Sequence, residues 1–355
     1  MKDSDRLISA LEQLAPGTPL REGINNVLRA KTGGLIVLDD TPQIMDIAEG
    51  GFEIDSPFTP AALYELAKMD GAIILTRKGD RIRKANVHLL AQPSIPSLET
   101  GIRHRVADRV AQQTGALVLA ISQRRNIITL YKGSTKFIFR DVSFILTKAN
   151  QALQTLEKHK LAMEKVFVNL SMLEFEDIVT LHNVLSSLQR VEMVQRIMRE
   201  INMQIVQLGS EGRLIRMQLE ELSSGVAEER LLLIKDYFIS QGEKTAEQVV
   251  GLIDQCSAEE VRDSLSLSRI LGYGGTLSSL DLSLSPKGYR LLAKLPRMPM
   301  PVITNLINRF ETLQGVLAAG ICNLDEVDGI GEVRARAIHE GLKKLREQIL
   351  LDTQF

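Results

Sequence analysis

Three short clusters within the first 140 residues combine the residue types that phosphate chemistry needs. The first is Asp70-Gly71 in KMDGAIILT (68–76), where a predicted helix ends and a predicted strand begins. An aspartate at a strand mouth can meet a divalent cation or a hydroxyl, and a glycine lets a ligand come close to the backbone. The second is Thr100-Gly101 followed by Arg103-His104-Arg105 in ETGIRHRVADR (99–109), at the predicted start of a helix. Backbone N–H groups at a helix start, the positive end of its dipole and two guanidinium forks together suit a triphosphate. The third is Ser122-Gln123-Arg124-Arg125, which follows another predicted strand. One carboxylate and several cations at neighbouring strand ends are what phosphoryl transfer requires, since that chemistry rests on positioning and charge neutralisation. Each cluster alone also has a plain structural reading. Asp70-Gly71 matches a glycine C-cap with a polar turn residue, the triplet matches a solvated helix face, and His104 matches an ordinary surface or packed histidine.

The elements that must position these clusters read as an α/β domain with a mixed sheet. LIVLDD (35–40), GAIILT (71–76), ALVLAIS (116–122), NIITLY (126–131) and TKFIFR (135–140) are rich in branched residues and bounded by turn signals, which predicts strands. TPAALYELAK has Thr59 as N-cap, Pro60 at the first helical position and Leu63, Leu66 and Ala67 on one face. RHRVADRVAQQTG sets Val106 and Val110 one turn apart before Gly115 ends the helix. From Asp141 to Leu208 there is neither glycine nor proline, and apolar residues recur at three- and four-residue steps, which predicts helix throughout. One unbroken helix of that length would reach roughly 100 Å, so two or more packed helices are expected, with a break near Asn169 to Glu174. Helices continue to about Ser285, and their Met and Leu stripes read as a bundle core, a spacer or an assembly element. From Pro286 on, prolines at 296, 299 and 301 punctuate short helices.

Composition narrows the function classes. With 355 residues, 44% hydrophobic and 25% charged, the chain can bury a large core and divide into two or three domains. Cys256 and Cys322 are isolated and show no metal-ligand spacing, which predicts neither disulfides nor a zinc site and suits a reducing cytoplasm. No signal-peptide block or 18-residue apolar run occurs, so no membrane association is expected. No GxxxxGK[ST], HxxxH, HExxH or GxSxG is present, and the only G-x-G before a predicted helix, Gly329-Ile330-Gly331, has Arg334 where a dinucleotide fold needs a third glycine. Residues 1–140 carry 19 basic against 15 acidic side chains, residues 141–286 carry 14 against 21, and residues 287–355 carry 10 against 8. The acidic middle repels polyanions, so a nucleic-acid partner is expected at the ends.

At the C-terminal end the clearest signal is LDEVDGIGEVRARAIHEGLKKL (324–345), in which the Gly329-Ile330-Gly331 turn precedes an amphipathic helix. It matches the helix-hairpin-helix, whose glycine-rich N–H groups meet DNA phosphates, with Arg334, Arg336, Lys343 and Lys344 as supplementary cations. A tight helix-to-helix turn is the plain alternative. A second, degenerate hairpin is expected in LPRMPMPVITNLI (295–307), and nothing there reads base edges, which favours structure-selective or nonspecific binding.

Residues 1–140, with DGA at 70–72, RHR at 103–105 and ISQRRNIITLYKG at 121–133, closely resemble the diadenylate cyclase domain. The order of such a domain (1–140), a helical bundle or spine (141–286) and a helix-hairpin-helix domain (287–355) resembles DNA-binding members of that family along essentially the full length. The resemblance implies a multidomain α/β plus all-α protein that joins two ATP molecules into cyclic di-3',5'-AMP, releasing two pyrophosphates, at the interface of two facing domains. It implies Asp70 as ligand of Mg2+ or Mn2+ and activator of the ribose 3'-hydroxyl, with Gly71 leaving room for the sugar and Leu89 at the adenine through its backbone. It further implies phosphate contacts from Arg103 and His104, completed by Ser122 and Arg125. Thr100 and Arg105 are further candidates, although Arg105 could instead fix the helix or the facing domain. The implied partners are branched DNA such as Holliday junctions and other copies of the chain in an octamer. Many relatives carry threonine on both sides of the RHR triplet, where this chain has Ile102 and Val106. That departure leaves open the alternative of an ATP-sensing, DNA-bound scaffold without turnover.

Overall fold

Two Thr-Pro pairs set the first helices. Thr18 accepts a hydrogen bond from the N–H of Arg21 at 3.2 Å, and Thr59 accepts one from Ala62 at 3.1 Å. Pro19 and Pro60 therefore stand where no backbone N–H is needed. In the computed structural model, which describes residues 11–124, 127–239 and 244–352, these caps open α1 (Pro19–Arg29) and α3 (Pro60–Leu66), with α2 (Pro42–Asp46) between them.

The strands are β1 (Gly34–Leu38), β2 (Ala48–Glu49), β3 (Phe52–Pro57), β4 (Ala72–Leu75), β5 (Arg81–Leu89), β6 (Leu117–Ser122), β7 (Ile127–Lys132) and β8 (Thr135–Phe139). They form one sheet in the order β2-β5-β4-β1-β6-β7-β8, with β3 also pairing β5. β1 and β4 run parallel, whereas β1 and β6 run antiparallel, so the sheet is mixed. Alternation along β1 serves two cores. Ile36 and Leu38 cluster with Ile24, Val27 and Leu63 from α1 and α3, while Leu35 and Val37 cluster with Ala107, Val110 and Ala111 of α4 (Ile102–Thr114). Helices thus cover both faces of the central strands. α4 ends where Gly115 adopts the left-handed conformation, φ 69°.

Three strands, β2, β3 and β5, escape sequence reading. In β5 the buried residues Ile82, Ala85 and Val87 do not alternate strictly, because the register with β4 shifts twice, between Ile82 and Lys84 and again between Lys84 and Val87, where Asn86 sits at φ 56°. These irregularities leave no period-2 signal.

The described residues fall into two compact units. The first holds those up to Gln151 together with Asn202–Met217, and the second holds Ala152–Ile201 together with those from Gln218 on. In the first unit, Met203 and Val206 pack on the sheet core, and the N–H of Ser210 donates to Pro16 O at 3.1 Å. The glycine- and proline-free stretch forms α5 (Val142–Glu176) and α6 (Leu181–Leu208). The break comes after Asn169–Glu174, not within it. Asp177 takes φ 56°, and Thr180 accepts from the N–H of Asn183 at 3.4 Å, a new N-cap made by side chains that period alone does not reveal.

In the second unit there follow, after α7 (Arg213–Ser223), helices α8 (Val226–Tyr237), α9 (Ala246–Gln255), α10 (Ala258–Arg262), α11 (Ser264–Ile270), α12 (Tyr289–Ala293), α13 (Met300–Phe310), α14 (Leu313–Ala318), α15 (Ile321–Asp325) and α16 (Glu332–Asp352). Arg290 of α12 is fully buried. It pairs with Glu174, donates to Ser171 Oγ at 2.8 Å and stacks its guanidinium over Phe167. The carboxylate of Asp236 accepts from the N–H groups of Gly288, Tyr289 and Arg290 at 2.7, 2.6 and 3.0 Å, capping α12. Leu292, Ile303, Ala335 and Ile338 share one core with Phe175 of α5, so the last helices are built onto α5.

Candidate active site

The register sets the site. Gly34 opposes Ile121, Leu35 pairs with Ala72, and Ser122 opposes Ile127. The start of β1, the start of β4, the end of β6 and the start of β7 therefore meet at one edge of the sheet. The first turn of α4 arrives at that edge, packed there by the buried Ala107 and Val110. Its N-cap, Gly101, is extended and offers no side-chain acceptor to the N–H groups of the first turn.

Arg103 joins the clusters. Its Nη2 donates to Asp70 Oδ1 at 3.2 Å, with the aspartate fully exposed and the arginine side chain 27% exposed. On its other side, a Cβ at Gly33 would lie 2.8 Å from Arg103 Nη1 and 3.1 Å from Ile121 O. Gly33, at φ 72°, is thus part of the site and was missed in the sequence, where a Gly-Gly pair before a strand reads only as a turn. Gly71 has a reason within the fold to be glycine. A Cβ there would lie 2.4 to 2.7 Å from the backbone of Asn86 and Val87, and its N–H donates to Asn86 Oδ1 at 3.1 Å.

His104 is half-buried and meets the ring of Tyr131 edge-on, with centroids 6.3 Å apart. Arg105 is exposed, and its Nε donates to Glu99 O at 3.2 Å, fastening the turn that leads into α4. Thr100 is exposed on that turn, and Ser122 ends β6 half-buried. Leu89 is the last residue of β5, half-buried and paired with Ala48 of β2. Arg125 lies outside the described residues.

Three supporting side chains carry no motif and were not singled out from sequence. Glu99 is largely shielded and ion-paired with Lys136 of β8. Burial works to raise its pKa, but Lys136, Tyr131 and His104 together hold the carboxyl below its usual range. Burial, and after it the Glu99 carboxylate, push the Tyr131 phenol far above its ordinary value. This cluster underlies the start of α4. Among the described residues no three His, Cys, Asp or Glu side chains converge, and Asp70 is the exposed carboxylate paired with Arg103 at this edge.

The C-terminal candidates form a second group. α15 and α16 flank a turn in which Gly329 has φ 81° and Ile330 is buried, its N–H donating to Val327 O at 2.9 Å. A Cβ at Gly331 would meet nothing within 4 Å. Arg334 donates back to Gly329 O, Arg336 is paired with Glu332 at 2.6 Å, and Lys343 and Lys344 are exposed. The 295–307 stretch also turns between two helices, α12 and α13, with Arg297 at φ 60° where a glycine would be usual. Asn305 Nδ2 donates to Asp328 O at 3.0 Å, tying the two turns together.

An α/β domain whose sheet edge brings together an uncapped helix start, a bridging arginine and one exposed carboxylate defines a nucleotide-phosphate-binding domain. The sequence model described as "DisA bacterial checkpoint controller nucleotide-binding" matches residues 21–136, and that described as "DisA bacterial checkpoint controller linker region" matches residues 139–280. The chain is 57% identical to the DNA integrity scanning protein DisA of Carboxydothermus hydrogenoformans over 98% of this chain and 99% of that one. It is 52% identical to that of Symbiobacterium thermophilum over the whole of both, and 53% identical to that of Clostridium botulinum over 99% and 98%. Among solved structures, DacA from Staphylococcus aureus is similar at 22% identity over 40% of this chain and 91% of that one, with a TM-score of 0.30. The chain belongs to the DisA family of diadenylate cyclases. Among the described residues no helix is long and apolar enough to cross a membrane.

Proposed function

We propose that the enzyme condenses two ATP molecules into cyclic di-3',5'-AMP and two pyrophosphates, each 3'-hydroxyl attacking the α-phosphate of the other nucleotide across two facing domains. The observation that carries this reading is Arg103, held between Asp70 and Gly33 beside the uncapped start of α4. There a triphosphate exchanges the weak Asp70 pairing for charge-assisted bonds from Arg103 and the backbone N–H groups. His104, Ser122 and Arg125 complete the phosphate cradle, Leu89 lies at the adenine, Thr100 is a further contact, and Arg105 holds the entry turn. Leu98 and Ile102 support a facing second copy: both are strongly exposed, 103% and 81%, on the rim of the site.

A single exposed carboxylate suits Mg2+ or Mn2+ arriving with the nucleotide, since such ions take one or two protein carboxylates and complete their shell with phosphate and water. Bound there, the cation would neutralise charge developing on the phosphates. Asp70 would hold it and orient the 3'-hydroxyl, while Arg103 and the start of α4 position the phosphate.

The C-terminal hairpins bind DNA in this reading, through the N–H groups around Gly329, Ile330 and Gly331 with Arg334, Arg336, Lys343 and Lys344. The open space at Gly331 and the exposed lysines support it. The substrate is branched DNA such as a Holliday junction, the assembly an octamer of paired cyclase domains, and the compartment the cytoplasm. Bound DNA lowers turnover without blocking ATP entry, by disturbing the register of the facing domains.

Incubation of purified protein with ATP and Mg2+ or Mn2+, with products identified by mass spectrometry, tests the chemistry. Cyclic di-AMP and pyrophosphate in a one-to-two ratio are expected. Bound but unconverted ATP with both metals would leave the scaffold alternative. Equal rates at saturating ATP with and without branched DNA would remove the regulatory part alone.

A further inference from the structure

A cleft of about 480 Å³ in the second unit is lined by α5, α6 and α10. Its wall on α6 is Ser186, Gln189, Arg190, Met193, Arg196 and Glu200, spaced at three and four residues, so one face of the helix is turned into it. At that spacing a helix usually presents core residues, yet this face carries two arginines, and Arg262 of α10 and His159 of α5 join them. The segment is acidic overall, which makes the concentration of basic side chains notable.

The nearby carboxylates are already used. Glu192 is buried against Arg230, and Asp254 pairs with Arg230 and Arg199. Among the described residues neither Arg190 nor Arg262 has a carboxylate within ion-pair distance, and Glu200 is the one acid on the lining. Arg196 donates from Nη2 to Cys256 O at 2.6 Å and Ser257 O at 3.0 Å, but its buried Nε has no acceptor among the described residues. A buried donor without an acceptor is costly, and unpaired guanidinium groups around a recess favour an anion. Met193, Ile197 and Val261 give the same recess apolar wall, which inorganic phosphate would leave uncovered and a nucleoside would fill.

We propose that this cleft is a second, non-catalytic phosphate site that takes a nucleotide. DNA is disfavoured as occupant, since Glu259, Glu260 and Asp263 are exposed around α10 and repel a polyanion, whereas a small phosphate can reach between them. The candidate ligands follow from the proposed reaction: ATP and the cyclic product carry phosphate with a nucleoside, pyrophosphate carries the phosphate alone as the contrast, and separate arms of one experiment distinguish them.

The test is hydrogen exchange by mass spectrometry on the full-length protein, with ATP in the absence of divalent metal, with pyrophosphate and with cyclic di-AMP. ATP or cyclic di-AMP is expected to slow exchange in peptides covering 186–200 and 256–264. Arg190→Glu combined with Arg262→Glu, two exposed positions outside the catalytic edge, should remove that protection, weakening the site about tenfold or more, and leave protection at 68–75 and 99–110 unchanged. Loss of the latter protection in wild type would speak against the catalytic reading alone. No protection at 186–200 from any of the three at millimolar concentration would overturn the proposal, as would protection by pyrophosphate only, protection that survives the double substitution, or protection by branched DNA alone.

Discussion

Arg103 Nη2 and Asp70 Oδ1 stand 3.2 Å apart, pairing the cation proposed for phosphate with the carboxylate proposed for the metal. The aspartate is fully exposed, so water screens the pair, which is held only weakly. Asp70→Asn removes the charge at nearly constant shape. It should abolish cyclic di-AMP formation, leave thermal stability within error of wild type and keep most ATP binding. Wild-type turnover by this variant would take Asp70 out of the mechanism.

Gly33→Ala should disable the site from a position that touches no reacting atom. The added methyl group would lie 2.8 Å from Arg103 Nη1 on a residue already at φ 72°. Left-handed strain at a non-glycine residue costs on the order of 1–3 kcal/mol, and the displaced guanidinium should weaken ATP binding about tenfold. Calorimetry that finds unchanged ATP affinity in a folded variant would show that Arg103 does not need this seat.

Glu99→Gln should give a pH-dependent loss of stability. The native carboxyl is held below its ordinary range, chiefly against burial, by Lys136, Tyr131 and His104. A depressed native pKa contributes stability above the unfolded value, and that contribution is lost as the pH falls through the native one. The Tm of the variant should therefore lie about 2–4 °C below wild type at neutral pH, with the gap closing below about pH 4. A gap that stays constant from pH 7 down to about pH 2.5, below the ordinary carboxylate range, would assign the effect to packing.

Lys343→Glu with Lys344→Glu should weaken the proposed DNA binding across all sequences and flatten its salt dependence, since both side chains are exposed and the proposed contact is to phosphate rather than to bases. The fold should be unaffected. This pair of substitutions is a cleaner test than removal of residues 287–355, because Arg290 is the buried partner of Glu174, and its loss would strand a carboxylate in the core. Filter binding at two salt concentrations reads the outcome, and an unchanged slope would move the DNA surface elsewhere.

Much of the site was legible in the sequence because its signals are local. A helix start needs a cap, a proline and a period, so Thr59-Pro60 and the stretch ending at Gly115 announce themselves within a few residues. Five strands were visible as apolar runs for the same reason, and the triplet at 103–105 was readable as a charged helix start. What the chain alone left open are relationships made across the sheet. The β1 register places Gly33 under Arg103, the Asn86 bulge takes the space beside Gly71, and β8 supplies Lys136 to Glu99. Each depends on strand pairing between segments distant in sequence, which no local period encodes. The same holds for α6, whose face from Ser186 to Glu200 reads as core by spacing alone. Only the packing of α5 and α10 beside it turned that face into a cationic recess.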